Sequence, residues 1–347
     1  MTEQMTAAVL YGKEHLQIET VDVPKIGPGD VLVRVRAALT CGTDVKVFRR
    51  GYHARMIQPP ALFGHELSGD IVARGENVSQ FQVGQRVMAA NSAPCGKCFY
   101  CLREQENLCQ DLLFNNGAYA EYIRIPERIV EKNLYVLDAH VGYQDAALAE
   151  PLACVLRGLE QSNLKPGDSI AIIGLGPIGM MFVRLAKTLY QARVIAIGRR
   201  QQQLDRAQRM GADELVLNED GADIITQVKR LTGGRGADVA IEAVGLPELW
   251  QVATRLIRRG GLVNFFGGCA SGTEVSLDTA LLHYSEITCR ASFHHTPVLM
   301  KRALEAVSRG YVTAKDFVNG VEPLVNLLEV MQHLMSHNGH LKTAIIP

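Results

Sequence analysis

Residues 169–242 alternate between short apolar runs and longer segments with helical spacing, and this alternation constrains the fold more than any other feature. The runs that read as strands are 169–173, 194–197, 214–217 and 237–242, and the helical segments are 180–189, 203–210 and 224–231. Continuously apolar strands that alternate with helices form a parallel sheet covered on both faces. The sequence therefore predicts an α/β fold with a doubly wound parallel sheet.

The first strand–helix turn of this region is rich in glycine and reads Gly174-Leu175-Gly176-Pro177-Ile178-Gly179. In a G-x-G-x-x-G turn the first glycine makes the bend and the second lets the backbone approach a pyrophosphate. The third glycine lets the helix pack on the sheet with its N-terminus facing the phosphates. The motif alone is weak evidence, but here it follows a strand and opens a helix. We therefore expect a dinucleotide to bind at 174–179.

The end of the second predicted strand indicates which dinucleotide is preferred. An NAD site places an acidic residue there, about 20 residues after the glycine turn, to bind the ribose hydroxyls. This chain has Gly198 at that point, followed by Arg199 and Arg200. Because guanidinium groups pair with a 2′-phosphate, the sequence favours NADP and leaves NAD possible. The alternative is that both arginines are solvated residues at the start of a helix.

The chain before residue 150 reads differently. Its apolar runs at 31–37, 67–73 and 85–89 are short and partly alternating, with turn signals at 27–30 and 75–77. This pattern is typical of a small barrel with irregular loops. The last part carries a helical segment at 299–309 and a final apolar run at 341–346. A chain of 347 residues is long enough for two domains, each with its own core.

Four cysteines lie close together after the predicted strand at 85–89. Cys95, Cys98, Cys101 and Cys109 follow the spacing C-x2-C-x2-C-x7-C. Two-residue gaps allow neighbouring thiolates to bind one ion, and zinc is the common metal for four sulfur ligands. A site filled by four sulfurs has no open position for a substrate, so this zinc would be structural. A cluster of reduced thiols or disulfides, and an iron–sulfur cluster, are the alternatives.

The composition excludes several classes of partner. The chain has 36 basic and 36 acidic residues, so its net charge is zero, which argues against nucleic acid or an anionic membrane as a partner. The first residues lack the pattern of a signal peptide. The longest apolar run, 170–183, is shorter than the ~20 residues that span a bilayer. We expect a cytoplasmic protein whose cysteines are ligands or buried thiols.

A second set of metal-ligand residues is scattered along the chain. It comprises Cys41-Gly42-Thr43-Asp44, Gly64-His65-Glu66 and Glu150-Pro151. Each alone would be weak, since a lone histidine or cysteine is more often structural. Together they offer a thiolate, an imidazole and carboxylates, which is the ligand set of a zinc site with an open position.

In these motifs the chain resembles the zinc-dependent medium-chain alcohol dehydrogenases, particularly the polyol (sorbitol-type) and threonine dehydrogenase branch. The resemblance covers nearly the full length and rests on five motifs in the family's order: the Cys41 and His65 motifs, the four-cysteine lobe, 149–152 and 174–179. It implies a GroES-like β-barrel catalytic domain, formed by 1–153 with a structural zinc lobe at about 91–112 and completed by 292–347. A Rossmann nucleotide-binding domain at 154–291 would be inserted between the two parts.

The resemblance also implies roles for single residues. Cys41 and His65 match the family's catalytic zinc ligands, and Glu66 matches the third ligand of the polyol branch. Glu150 stands where ethanol-type enzymes have a second cysteine, and either carboxylate could be bonded to the metal. Thr43 matches the hydroxyl of the proton relay, with a loop threonine bonded to backbone as the alternative. The implied enzyme binds two zinc ions per chain, one catalytic and one structural.

The sequence also carries expectations for positions outside these motifs. Gly267, Gly268 and Cys269 match a stretch that lines the nicotinamide end of the family's pocket, as does 292–295. His294 and His295 are expected to be pocket or surface residues rather than further ligands, and Asp44 to brace the Cys41 loop. Cys154 and Cys289 are expected to be small buried residues. The run 49–53 is expected to be a solvated loop, with binding of an anionic or hydroxyl-rich substrate as the alternative.

The expected activity is hydride transfer between NADP and a secondary alcohol, a polyol or a sugar-type hydroxyl. The metal lowers the pKa of a bound hydroxyl, which makes the hydride easier to release. A polar pocket that contains Glu150 favours hydroxyl-rich substrates over simple alkanols. A carbonyl reductase is an alternative, and a non-enzymatic dinucleotide-sensing zinc protein is an alternative of another class. Family members are commonly dimers or tetramers, so we expect a homo-oligomer.

Overall fold

The computed structural model describes residues 3–53, 55–219, 223–336 and 341–347. The chain forms two compact units, one made of Met1–Ala153 with His295–Pro347 and the other of Cys154–His294. Among the described residues, no helix has both the length and the apolar character that crossing a membrane requires.

The strands are short in both units. In chain order they are β1 (Gln4–Gly12), β2 (His15–Asp22), β3 (Val31–Leu39), β4 (Ala61–Leu62), β5 (Glu66–Arg74), β6 (Arg86–Ala89), β7 (Ser92–Ala93), β8 (Leu113–Phe114), β9 (Tyr122–Ile125), β10 (Leu134–Val136), β11 (Ser169–Ile173), β12 (Arg193–Gly198), β13 (Glu214–Leu217), β14 (Ala237–Glu242), β15 (Ile257–Phe265), β16 (Thr288–Ala291), β17 (Val318–Pro323) and β18 (Lys342–Ile346).

The helices are longest in the second unit. In chain order they are α1 (Gly42–Arg50), α2 (Glu127–Asn133), α3 (Tyr143–Ala147), α4 (Ala149–Gln161), α5 (Pro177–Tyr190), α6 (Gln201–Arg209), α7 (Ile224–Leu231), α8 (Pro247–Leu256), α9 (Thr279–Tyr284), α10 (Pro297–Ser308), α11 (Ala314–Phe317) and α12 (Leu327–Met335). Short 3-10 turns occur at Cys101–Arg103, Glu106–Leu108 and Leu324–Asn326.

The second unit is built on a six-stranded parallel sheet with the order β13-β12-β11-β14-β15-β16. Successive residues of β11, β12 and β14 are buried, so both faces of the sheet are covered. The prediction of a doubly wound parallel sheet is confirmed. Because the strands are parallel, the loops after β11, β12, β14 and β15 all leave from the same edge, where such sheets bind nucleotides.

The first unit contains a larger, mostly antiparallel sheet with the order β10-β6-β5-β3-β18-β17, with β9 also paired to β3. The hairpin of β1 and β2 joins β4 in a smaller sheet. In the pairing of β3 with β5, Leu39 lies opposite Glu66. This register brings the residues that follow Leu39 next to the residues that begin β5, and both predicted ligand motifs lie there.

The four-cysteine segment is a loop closed by a short strand pair. Ser92 of β7 pairs with Phe114 of β8, and the cysteines lie between them. Two 3-10 turns fold this loop back on itself. A lobe with so little regular structure and so few buried apolar residues needs a cross-link to hold its shape.

Two expectations about burial are wrong. Cys289 is exposed and Cys154 is half-buried. The reason for Cys289 is its position on β16, the edge strand of the parallel sheet, where all four residues are exposed. The run 49–53 is not simply a loop: Arg49 and Arg50 end α1, and Gly51 caps that helix with φ +89°.

Candidate active site and cofactor loop

The four sulfurs of the cysteine lobe form one cluster, with every ligand atom within 4.8 Å of the others. The Cys98 Sγ atom lies 3.5 Å from that of Cys101 and 3.9 Å from that of Cys109. Zinc bonded to four thiolates at ~2.3 Å in a tetrahedron separates the sulfurs by about 3.8 Å. All four thiols are free, so the disulfide alternative is wrong. The donor set fits one zinc ion.

The pKa values of two neighbouring thiols of the lobe are shifted in opposite directions. Backbone N–H groups of Cys101 and Gln110 lower the pKa of Cys98 to about 6. Burial raises the pKa of Cys101 to about 12. Four adjacent thiolates repel one another unless a cation lies among them, so the cluster needs a metal to become a set of ligands.

Replacing Cys98 with serine is expected to remove one bound zinc ion and to leave the other. Loss of a structural zinc costs stability because the lobe has little other support, and we expect the free energy of unfolding to fall by several kcal/mol. Metal content by atomic emission and unfolding in urea would test this. The control is Cys289→Ser, which removes an exposed thiol outside the lobe. Full zinc content in the Cys98 variant would contradict the assignment.

A second cluster joins Cys41 to the adjacent residues His65 and Glu66, which come from a later part of the chain. Ligand atoms of Cys41, His65 and Glu66 all lie within 4.8 Å of one another. Cys41 is the N-cap residue of α1, and the N–H of Thr43 donates to its sulfur at 3.4 Å. His65 and Glu66 are buried at the start of β5. This arrangement offers a thiolate, an imidazole and a carboxylate to a single metal ion.

Asp44 faces His65 inside the protein. The Oδ1 atom of Asp44 lies 2.9 Å from Nδ1 of His65, and Oδ2 accepts the N–H of Cys41 at 3.3 Å. Burial lowers the pKa of His65, but the charges of Asp44 and Cys41 outweigh it and raise that pKa well above its usual value. A carboxylate on Nδ1 leaves Nε2 available to a metal. Asp44 therefore braces the Cys41 loop, as expected, and also faces His65.

Gly64 sets the backbone turn that presents His65. Its φ is +87°, and a Cβ atom added there would lie 2.5 Å from Cδ2 of Tyr119. Both the backbone conformation and the close ring require glycine. The sequence shows Gly64 as part of the His65 motif, but it does not show the contact with Tyr119 that requires glycine there.

Replacing Gly64 with alanine is expected to lower the free energy of unfolding by about 3 kcal/mol, from the left-handed backbone and the contact with Tyr119. The matched control is Gly84→Ala. Gly84 has φ +90° but nothing within 4 Å of its added Cβ, so it should lose only about 1 kcal/mol. Thermal or urea unfolding measures both variants. Equal losses would show that Tyr119 does not restrict this position.

Glu66 has a buried partner that the sequence did not reveal. The Lys342 ammonium lies 2.7 and 2.6 Å from the two carboxylate oxygens of Glu66 and donates to the carbonyl of Thr40 at 3.0 Å. Burial lowers the pKa of Lys342, but the negative charges of Glu66 and Cys41 raise it overall. The signal in the sequence was a lone lysine inside the apolar run 341–346.

Glu150 lies in the first turn of α4 and is buried. Its Oε1 atom is 3.6 Å from Nε2 of His295, and that nitrogen is 3.1 Å from Oδ1 of Asn91. Burial raises the pKa of Glu150 to about 7. Within the described ranges, Glu150 is not part of the compact cluster of Cys41, His65 and Glu66. Its role as a ligand stays a prediction.

His295 was expected to be a pocket or surface residue, and it is only 2% exposed. Its neighbours Asn91 and Glu150 are buried as well. A histidine in this position is held by polar side chains from distant parts of the chain, which no local pattern reveals. Thr43, the expected relay residue, is half-buried near the start of α1.

The glycine loop has the geometry that its three glycines predict. Gly174 follows β11 with φ +95°, and nothing lies within 4 Å of a Cβ added at Gly176. A Cβ added at Gly179 would lie 1.8 Å from the carbonyl oxygen of Gly174. Helix α5 begins at Pro177, so the free N–H groups of its first turn are at the same edge of the sheet.

The end of β12 is closely packed and carries no acidic residue. Gly198 is buried, and a Cβ atom added to it would lie 2.7 Å from Cδ1 of Leu175. Arg199 and Arg200 follow and are exposed. In the part of the chain that is described, which leaves out 220–222, no ion pair involves either guanidinium. Both remain available to an anionic ligand.

The loops after β14 and β15 pack closely together. A Cβ atom added at Gly245 would lie 2.4 Å from the carbonyl oxygen of Gly268, and one added at Gly267 would lie 2.3 Å from the nitrogen of Gly245. Buried Glu242 accepts the N–H groups of Val244 and Gly245 at 2.8 and 3.0 Å. This role of Glu242 could not be predicted from the sequence, where it is only the last residue of an apolar strand.

Comparisons with known proteins agree with this geometry. Residues 27–134 match the alcohol dehydrogenase GroES-like domain, and residues 177–309 match the zinc-binding dehydrogenase domain. A sorbitol dehydrogenase of Bacillus subtilis (strain 168) is 32% identical over 99% of this chain and 98% of its own length. An L-threonine 3-dehydrogenase of Caldanaerobacter subterraneus subsp. tengcongensis is 35% identical over 79% of this chain and 78% of its own.

Solved structures give the same result. A zinc-binding dehydrogenase of Sinorhizobium meliloti 1021, bound to NADP, has a TM-score of 0.89 and 28% identity and covers 100% of both chains. The two units are thus a GroES-like domain and a Rossmann domain, as predicted. The chain belongs to the zinc-dependent medium-chain alcohol dehydrogenase family. It is an oxidoreductase of the alcohol and polyol dehydrogenase type, so the prediction of an enzyme is confirmed.

Proposed function

We propose that this enzyme oxidises a secondary hydroxyl of a small hydroxyl-rich molecule, with NADP as the hydride acceptor. The observation that carries the proposal is the cluster of half-buried Cys41 with buried His65 and Glu66, which combines three different ligand types at one point. A purely structural zinc site is usually filled by cysteine and histidine alone. A carboxylate in the set is typical of a site that keeps a position for substrate.

Zinc bound by Cys41 and His65, together with Glu66 or Glu150, would supply a positive charge that lowers the pKa of the substrate hydroxyl. NADP bound at the glycine loop would accept the hydride from the carbon that carries this hydroxyl, and the hydroxyl proton would leave. The products are a ketone, NADPH and a proton. Thr43 is the residue that we assign to carry the proton away, because it lies beside Cys41.

The surroundings of Glu150 support a polar substrate. Glu150, Asn91 and His295 are buried polar side chains of the first unit, and His295 lies beside both of the others. A pocket bordered by such groups favours ligands that replace the lost water hydrogen bonds. Alditols, sugars and cyclitols do this better than simple alkanols. One of the relatives named above is a sorbitol dehydrogenase, which agrees with this class.

The preference for NADP rests on the end of β12. Gly198 leaves no carboxylate to bind the ribose or to repel a 2′-phosphate, and Arg199 and Arg200 are exposed beside it. Gly267 and Gly268 would line the nicotinamide end of the same site. The NADP-bound relative from Sinorhizobium meliloti supports this choice.

Absorbance of the reduced nicotinamide tests the proposal directly. The enzyme would be incubated with alditols, cyclitols, amino alcohols and simple secondary alcohols, each with NADP and with NAD. We expect turnover of a hydroxyl-rich compound with NADP. Turnover with NAD alone would contradict the cofactor assignment, and activity only on simple alkanols would contradict the substrate class. Incubating the enzyme with the ketone product and NADPH would measure the reductase direction, which the same site catalyses.

The family resemblance also implies a metal content and an oligomeric state. We propose that the enzyme binds one catalytic and one structural zinc ion per chain, and that it assembles as a homo-dimer or homo-tetramer. Metal content measured against protein concentration tests the first. Light scattering after size-exclusion chromatography tests the second, and a monomer would contradict it.

A further inference from the structure

Tyr119 is a buried residue that belongs to none of the predicted motifs. It lies between β8 and β9, its side chain has no exposed surface, and it is among the largest fully buried side chains. Its hydroxyl donates to Oδ2 of Asp44 at 2.6 Å, and the carbonyl oxygen of Leu39 lies 3.1 Å away. A hydrogen bond from a buried hydroxyl to a carboxylate is one of the stronger kinds.

The two oxygens of Asp44 have separate partners. Oδ2 accepts from Tyr119 and, at the longer distance of 3.3 Å, from the N–H of Cys41. Oδ1 lies 2.9 Å from Nδ1 of His65. Because Asp44 is completely buried, bulk water does not compete for either of its oxygens. Oδ2 is therefore the oxygen that binds the Tyr119 hydroxyl, and Oδ1 is the oxygen that faces His65.

Tyr119 also contacts the backbone that carries His65. Its N–H donates to the carbonyl of Phe63 at 3.0 Å, and its ring lies so close to Gly64 that a Cβ atom there would be 2.5 Å away. The rings of Phe63 and Tyr119 meet edge to face, with centroids 5.7 Å apart. One side chain thus contacts both loops of the candidate metal centre: its ring packs on the His65 loop, and its hydroxyl reaches Asp44 on the Cys41 loop.

We propose that Tyr119 is a positioning residue for the catalytic metal centre. Its hydroxyl fixes Asp44, Asp44 fixes the ring of His65, and His65 then presents Nε2 to the metal. The proposal rests on the proposed function, since it takes Cys41 and His65 as metal ligands. Hydrogen-bond partners behind a ligating histidine typically affect metal affinity by 10- to 100-fold.

The test is Tyr119→Phe, which removes the hydroxyl and keeps the ring on Gly64. The matched control is Tyr143→Phe in the same unit, where the hydroxyl donates to the carboxylate of Asp70, whose other oxygen binds Arg36. Zinc release to a coloured chelator would be followed for each zinc, and the catalytic one is the ion missing from Cys41→Ser protein. We expect Tyr119→Phe to release that zinc about 10-fold faster, to lower kcat, and to leave the KM for NADP unchanged.

A second variant shows whether the effect passes through Asp44. In an Asp44→Asn background, removing the Tyr119 hydroxyl should change zinc release by less than about 2-fold, because the group that it positions is already altered. Wild-type zinc release in Tyr119→Phe, or equal acceleration in Tyr143→Phe, would overturn the proposal. So would full additivity with Asp44→Asn. Zinc release is measured without substrate, so an inactive wild-type protein would overturn the proposed function and leave Tyr119 to be decided by the release rates.

Discussion

Cys41→Ser protein is expected to lose catalysis by at least about 10³-fold in kcat, while it still binds NADP. A serine hydroxyl is a poor zinc ligand beside a thiolate, so the site loses the charge that activates the substrate hydroxyl. A loss of about 4 kcal/mol of transition-state stabilisation corresponds to this factor. Turnover at saturating substrate and cofactor binding by nicotinamide fluorescence measure the two quantities.

The control for this prediction is Cys289→Ser, which removes an exposed thiol on the edge strand of the other unit. It should keep both turnover and zinc content. The four-cysteine lobe should remain intact in the Cys41 variant, which ought to retain one zinc ion. Wild-type turnover in Cys41→Ser protein would show that the metal centre of the reaction lies elsewhere.

The second large effect is expected at the end of β12. Replacing both Arg199 and Arg200 with alanine should lower kcat/KM with NADP by about 10²-fold and change kcat/KM with NAD by less than about 3-fold. Hydrogen bonds from a charged group contribute about 1.5–3 kcal/mol each, and only NADP carries the phosphate that receives them. Steady-state kinetics with each cofactor at a fixed alcohol concentration measures the ratio.

Arg209→Ala is the matched control, since Arg209 is exposed at the far end of α6, the helix that begins after Arg200. This variant should change neither kcat/KM with NADP nor kcat/KM with NAD. A high salt concentration should weaken NADP binding by the wild type more than by the double variant, because salt screens exposed charges. Equal losses with NAD and NADP would mean that the arginines support the fold or the shared part of the cofactor.

The second unit could be predicted closely from the sequence. The strands at 214–217 and 237–242 and the helix at 224–231 have the predicted bounds, and the glycine loop has the predicted geometry. These features are local: a run of apolar residues forms a buried strand, and a glycine with positive φ makes the turn after it.

The first unit was predicted less completely. Its strands β3 and β5 were found, but the hairpin of β1 and β2 and the helices α1 to α3 were not. Helix α1 is only nine residues long, so the helical spacing of apolar residues in its sequence is hard to recognise. The helix is held by its cap at Cys41 and by packing of Phe48. Short helices depend on tertiary contacts more than on sequence period.

The groups around the candidate metal centre were predicted least well. The motifs gave Cys41, His65 and Glu66, but Tyr119 and Lys342 were not assigned to the site, and His295 was expected only as a pocket or surface residue. Each of these three reaches the site from a distant part of the chain, and the contact depends on strand pairing or loop packing. Glu66, for example, binds Lys342 because β3 lies between β5 and β18. A single sequence does not record such pairings.

The most direct test of the central claim is turnover with NADP and a polyol before and after metal removal from the same preparation. We predict that activity disappears when the catalytic zinc is removed and that it returns when one equivalent of zinc per chain is added. The Cys41→Ser protein should not recover under the same treatment. Full turnover by protein shown to contain no metal would contradict the account.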